Sequence, residues 1–72
     1  MKKVWKLQDL DCANCAAKME TAIRKIPGVQ SASVNFMTQK LTLEAEASAY
    51  DRILEEAVRV MRKVEPECQL IR

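Results

Sequence analysis

The 72-residue chain has no histidine, so neither an imidazole base nor an imidazole metal ligand is available to it. That removes the Ser–His and Cys–His nucleophilic machinery of covalent catalysis. Glycine occurs once, at Gly28, which serves a turn; a glycine-rich phosphate loop is excluded. No catalysis is expected of the chain. Aromatic residues are limited to Trp5, Phe36 and Tyr50, too few for a base-stacking platform, and a formal net charge of +2 gives no basic footprint. Nucleic acid is therefore not an expected partner. No apolar run approaches the roughly 20 residues of a membrane span, so no membrane insertion of this chain is expected. Met1-Lys2-Lys3 is basic, but Trp5-Lys6-Leu7-Gln8-Asp9 follows with no signal-peptide core, and the expected location is cytoplasmic.

What is present suits a folded globule: 49% hydrophobic and 31% charged residues. The length implies a single domain, 1–72, with a small core, since domains of ~60 residues bury only about 60% of their unfolded surface. Lys3 to Leu7 reads as a strand with Trp5 and Leu7 on one face. Ala16, Met19, Ile23 and Ile26 form an apolar stripe on a helix from Cys15 to Ile26, which Pro27-Gly28 stops. Alternation gives strands over Val29 to Phe36 and Lys40 to Ala45, joined by a turn at Met37 to Gln39. Ser48 reads as the cap of a second helix, with Asp51 completing a variant capping box. Ile53, Ala57, Val60, Met61 and Val64 form that helix's stripe to about Lys63; Glu55 and Glu56 early and Arg59, Arg62 and Lys63 late suit its dipole. Pro66 breaks the helix and Glu67 to Ile71 reads as a last strand. The order β-α-β-β-α-β predicts an α+β, ferredoxin-like fold: a four-stranded antiparallel sheet with two helices on one face.

Asp11-Cys12-Ala13-Asn14-Cys15 concentrates two thiols and a carboxylate just ahead of a helix. In the first helical turn, unpaired N–H groups and the positive dipole end stabilise a thiolate at Cys15. With CxxC spacing, Cys12 and Cys15 can converge on one ion, and Asp11 can supply a third, hard donor. Two thiolates alone suit Cu(I); the added oxygen favours Zn(II), Cd(II) or Pb(II). Only three ligands are local, so the site should be open and exchange metal readily. Glu65, expected in a loop at the same end of the sheet, is a candidate fourth ligand, against the plainer reading of a solvated helix-end carboxylate. Cys68 falls in phase with Leu70 and reads first as a buried, inert thiol and second as a ligand or redox contact. Met19 and Met61 lie in register with core stripes rather than as copper ligands. Lys18, Arg24 and Lys25 read as a solvated face, or as a mild basic docking surface. A redox CxxC, acting as a thiol-disulfide oxidoreductase, would need a thioredoxin-like fold that this strand order does not match.

The sequence resembles the heavy-metal-associated domain over essentially its whole length. Leu10-Asp11-Cys12-Ala13-Asn14-Cys15-Ala16 is similar to that family's metal loop, usually Gly-Met-Thr-Cys-x-x-Cys. Ile26-Pro27-Gly28-Val29 and Val34-Asn35-Phe36 resemble its helix-end and second-strand patterns. The resemblance implies metal binding through Cys12 and Cys15, in a metallochaperone or in the N-terminal cytosolic domain of a metal-exporting P-type ATPase. The Asp-Cys-x-x-Cys form resembles the zinc/cadmium/lead branch. Leu10 stands where the family has Met, and Asp11 where it has Thr. Arg62-Lys63-Val64-Glu65-Pro66 stands where copper members commonly carry Lys-x-Gly-Tyr. The implied partners are the metal ion and other domains of an ATPase or a metal donor or acceptor protein. A free-standing Cu(I) metallochaperone is the alternative. Both a monomer and a weak metal-bridged dimer are compatible with an exposed thiol pair.

Overall fold

A computed structural model describes residues 1–71; Arg72, the last residue of the expected domain, lies outside the described residues. The elements in chain order are β1 (Lys2–Gln8), α1 (Ala13–Arg24), β2 (Val29–Asn35), β3 (Lys40–Ala45), α2 (Tyr50–Val64) and β4 (Gln69–Ile71), with a single 3-10 turn at Ala47–Ala49. The strands form one antiparallel sheet in the order β2-β3-β1-β4. This is the ferredoxin-like arrangement that the element order predicts.

Alternation decides which face is covered. Leu7, Ala32, Leu41, Leu43 and Ala45 point to one side and are buried, whereas Val4, Lys6, Ser31, Ser33 and Lys40 are exposed on the other. The helices cover the buried side. The α1 stripe of Ala16, Met19 and Ile23, with Ile26 just beyond it, is buried as the spacing predicts. So are Ile53, Ala57 and Met61 of α2, while Val60 and Val64 are half-buried at its margin. Each large apolar side chain so buried contributes about 1.5–3 kcal/mol. Gly28 takes φ +96°, and the Ile26–Gly28 stretch closes as a turn through the Val29 N–H to Ile26 carbonyl bond at 3.1 Å.

Several boundaries differ from the sequence expectation. Helix α1 begins at Ala13, two residues early, because Cys12 itself caps it, and ends at Arg24 rather than Ile26. Ser48 is not the cap of α2: it lies within the 3-10 turn, the Ala49 cap position makes no side-chain bond, and no capping box forms with Asp51. The start of α2 is set instead by Tyr50, 1% exposed, whose hydroxyl donates to the Leu43 carbonyl at 3.0 Å and accepts from the Trp5 indole N–H at 3.0 Å. Burying that ring against β1 and β3 fixes the helix register more strongly than an exposed serine could. Finally, β4 begins at Gln69, since Pro66 and Glu67 are used in a turn.

Candidate metal centre

The loop between β1 and α1 is shaped by three successive residues. Asp9 takes φ +62°, a left-handed conformation that Asp tolerates better than most residues, and turns the chain off the sheet. Leu10 then drives its side chain into the core, 1% exposed, filling the space beneath the loop. Asp11 emerges exposed, and Cys12 enters the helix as its N-cap in an extended conformation, φ −129° and ψ 118°. The Cys12 carbonyl accepts from the Ala16 N–H at 3.0 Å, and its Sγ accepts from the Cys15 N–H at 3.2 Å. A thiol thus does the work usually given to a Ser, Thr, Asp or Asn oxygen. Cys15 sits in the first turn, as the sequence predicts, and both thiols are half-buried and free.

The two sulfurs form one acid–base unit. Hydrogen bonding from the Cys15 thiol, then from the Cys15 and Asn14 backbone N–H groups, holds the Cys12 thiol below its ordinary value, against burial and the Glu65 charge. The Cys12 sulfur, then burial, then the Glu65 carboxylate push Cys15 up to about 11. Cys12, rather than Cys15 as the helix position predicts, is therefore the first to ionise, because its sulfur at the cap receives the Cys15 hydrogen bonds.

Antiparallel pairing of β1 with β4, Leu7 opposite Leu70, brings the turn before β4 alongside the metal loop. Glu65, the C-cap of α2, lies there half-buried. Its N–H bonds the Met61 carbonyl at 2.8 Å and its carbonyl takes the Cys68 N–H at 3.1 Å. Its carboxylate acts on both loop thiols. Cys68 is 1% exposed, and burial first, then Glu65, Asp9 and Asp11, raises its thiol above the ordinary value. It packs as a core residue, as do Met19 and Met61, whereas Met37 is 86% exposed on the β2–β3 turn.

The structure thus places Cys12 and Cys15 together at the head of α1, with Glu65 on the neighbouring turn. The Asp11 charge reaches Cys68, and among the described residues no group of three or more His, Cys, Asp or Glu side chains is gathered in a geometry that holds a metal ion. On α1, Lys18 and Lys25 are exposed, but Arg24 is engaged: it pairs with Glu20 at 2.7 Å and its Nε–H donates to the Ala32 carbonyl at 3.0 Å. One residue had no signal in the sequence. The Gln39 side-chain amide accepts from the Leu10 N–H at 3.1 Å and donates to the Leu10 carbonyl. Only a contact across 29 positions reveals it.

Among the described residues no helix is long and apolar enough to cross a membrane. Over 45 residues, 62% of the chain, it is 49% identical to a cadmium-transporting ATPase of Staphylococcus aureus. Over 42 residues, 58% of the chain, it is 45% identical to the zinc/cadmium/lead-transporting P-type ATPase of Escherichia coli strain K12. The chain spans about 6% of the length of each of these relatives. Among solved structures, the N-terminal domain of the copper(I) ATPase PacS superposes with a TM-score of 0.70 at 30% identity, covering 89% of this chain and 84% of that one. Residues 4–66 match the heavy-metal-associated domain, and with the thiol pair at the head of α1 the chain belongs to that family of non-catalytic metal-binding modules.

Proposed function

We propose that this chain, as a single domain over residues 1–72, binds Zn(II), Cd(II) or Pb(II) on the cytosolic side of a P-type exporter and delivers the ion to the transporter or regulates it. Cys12 and Cys15 supply the sulfur donors, Asp11 an oxygen donor and Glu65 a further one. The observation that supports this reading is the thiol pair at the head of α1, where Cys12 Sγ accepts from the Cys15 N–H at 3.2 Å, in a loop that also holds the exposed Asp11 and lies beside the turn of Glu65. Gathered anionic charge favours a doubly charged guest over Cu(I), which needs only two thiolates. Similarity to ATPases named for cadmium and for zinc, cadmium and lead supports the same choice.

Partners on this reading are the metal ion and other domains of the exporter, or a donor or acceptor protein; the half-buried thiols also permit a metal-bridged dimer. A second reading, a free-standing Cu(I) metallochaperone, draws support from the likeness to the copper(I) ATPase domain and from the thiol pair alone. Competition titrations with Zn(II), Cd(II) and, anaerobically, Cu(I) separate the two. Asp11→Ala should weaken Zn(II) and Cd(II) by about tenfold or more, as loss of a donor does, while leaving Cu(I) within about twofold. Glu65→Ala in parallel reads the second carboxylate. Zn(II) affinity indifferent to Asp11→Ala would remove Asp11 from the ligand set and hand the site to Cu(I).

A further inference from the structure

We propose that Gln39, on the turn between β2 and β3, is a positioning residue for the metal loop: its side-chain amide clamps both backbone groups of Leu10 and so presets the approach of Cys12 to the helix cap. The proposal rests on Cys12 and Cys15 being the metal-binding pair.

The geometry is that of a strand pairing made by a side chain. Leu10 N–H donates to Gln39 Oε1 at 3.1 Å, and Gln39 Nε2 donates back to the Leu10 carbonyl. The second amide hydrogen of Gln39 reaches the Phe36 carbonyl at 3.0 Å, which holds the side chain across its own turn. Gln39 takes φ +57°, and its carbonyl accepts from the Leu7 N–H at 2.7 Å. One residue therefore grips the chain on both sides of Gln8-Asp9, the point where it leaves the sheet. The turn that carries Gln39 is itself braced, since the Asn35 side chain accepts from the Thr38 N–H at 3.1 Å.

Leu10 lies two positions before Cys12. Its side chain is already sunk in the core, so with N–H and carbonyl also tied it has no free backbone group. Asp11 is then the one residue between this fixed point and the capping sulfur. Holding a ligand-bearing loop in place before the ion arrives lowers the ordering cost of binding, which is the role that outer hydrogen-bond partners play at metal sites. Asn is too short to span the same distance, and Glu keeps an acceptor but loses both donated bonds.

The test uses Cd(II) alone as the probe and backbone amide exchange in the metal-free protein. In the parent, the Leu10 amide should be protected. In Gln39→Met, which keeps the stem but not the amide, Leu10 exchange should accelerate by about tenfold or more while the Leu43 and Ile53 amides stay unchanged, and the Cd(II) dissociation constant should rise about tenfold. Exchange of Leu10 at the rate of an unstructured amide in the parent overturns the clamp without any variant having to fold. Cd(II) affinity in Gln39→Met within about twofold of the parent overturns the positioning role. A Cys12→Ser/Cys15→Ser double variant that keeps its Cd(II) affinity overturns the metal-site reading itself, and the positioning role with it; the Leu10 exchange result is read independently of that arm.

Discussion

At the scale of single residues, Cys12 has two jobs that can be separated. Its sulfur caps α1 by accepting from the Cys15 N–H, and it is the more readily ionised of the two thiols. Serine is among the best capping residues, with a shorter and harder oxygen in the same place. Cys12→Ser should therefore leave the metal-free unfolding free energy within about 1 kcal/mol of the parent, while removing one of the two cadmium–thiolate bonds and with it about half of their ultraviolet absorption. Thermal melts and ultraviolet titration read the two effects in one preparation. A large loss of stability would mean that the sulfur contributes packing as well as a cap. This residue also explains why the sequence predicts the helix start two positions late: cysteine is not a recognised cap, and the apolar stripe that marks the helix begins only at Ala16. Gln39 lies further out of reach, because a polar turn residue announces nothing about the backbone it meets 29 positions away.

At the scale of elements, the legible parts are those fixed by burial. The stripes of α1 and α2 and the alternation of β3 are dictated by which side chains leave water, and β3 spans Lys40–Ala45 as predicted. The illegible part is the entry to α2, where Ser48 and Asp51 imitate a capping box but the buried Tyr50 decides the register. The turn between α1 and β2 joins both kinds of signal. Pro27-Gly28 marks it in the sequence, and the structure supplies the physical reason: Gly28 has φ +96°, and a Cβ there would stand 2.8 Å from Ile53 Cδ1 of α2. Gly28→Ala therefore meets both a backbone penalty and a clash with a core side chain. It should destabilise the fold by about 1–3 kcal/mol, lowering the denaturation midpoint with little change in slope. A shift below about 0.5 kcal/mol would show that Ile53 moves aside and that the turn is not under steric control.

At the scale of the whole molecule, the sheet order places the metal loop and the α2–β4 turn side by side, so the charge of the carboxylate at the end of α2 acts to raise both loop thiols. A chain of this length has only a modest margin between burial and conformational entropy, and a bound ion adds to that margin by mass action. An ion that binds the native state alone at 100 times its dissociation constant adds about 2.7 kcal/mol. With each kcal/mol moving the midpoint of a domain of this size by about 4–8 °C, saturating Cd(II) should raise the melting temperature by roughly 10–20 °C. A chelator should return it to the metal-free value, and the Cys12→Ser/Cys15→Ser variant should show no rise. Calorimetry checks all three on one concentration series. Binding by the unfolded thiols would reduce the rise, because the same two sulfurs are present in the denatured chain. A rise that survives in the double variant would locate the ion elsewhere on the molecule. A rise in the parent that vanishes there assigns the added stability to the loop where α1 begins.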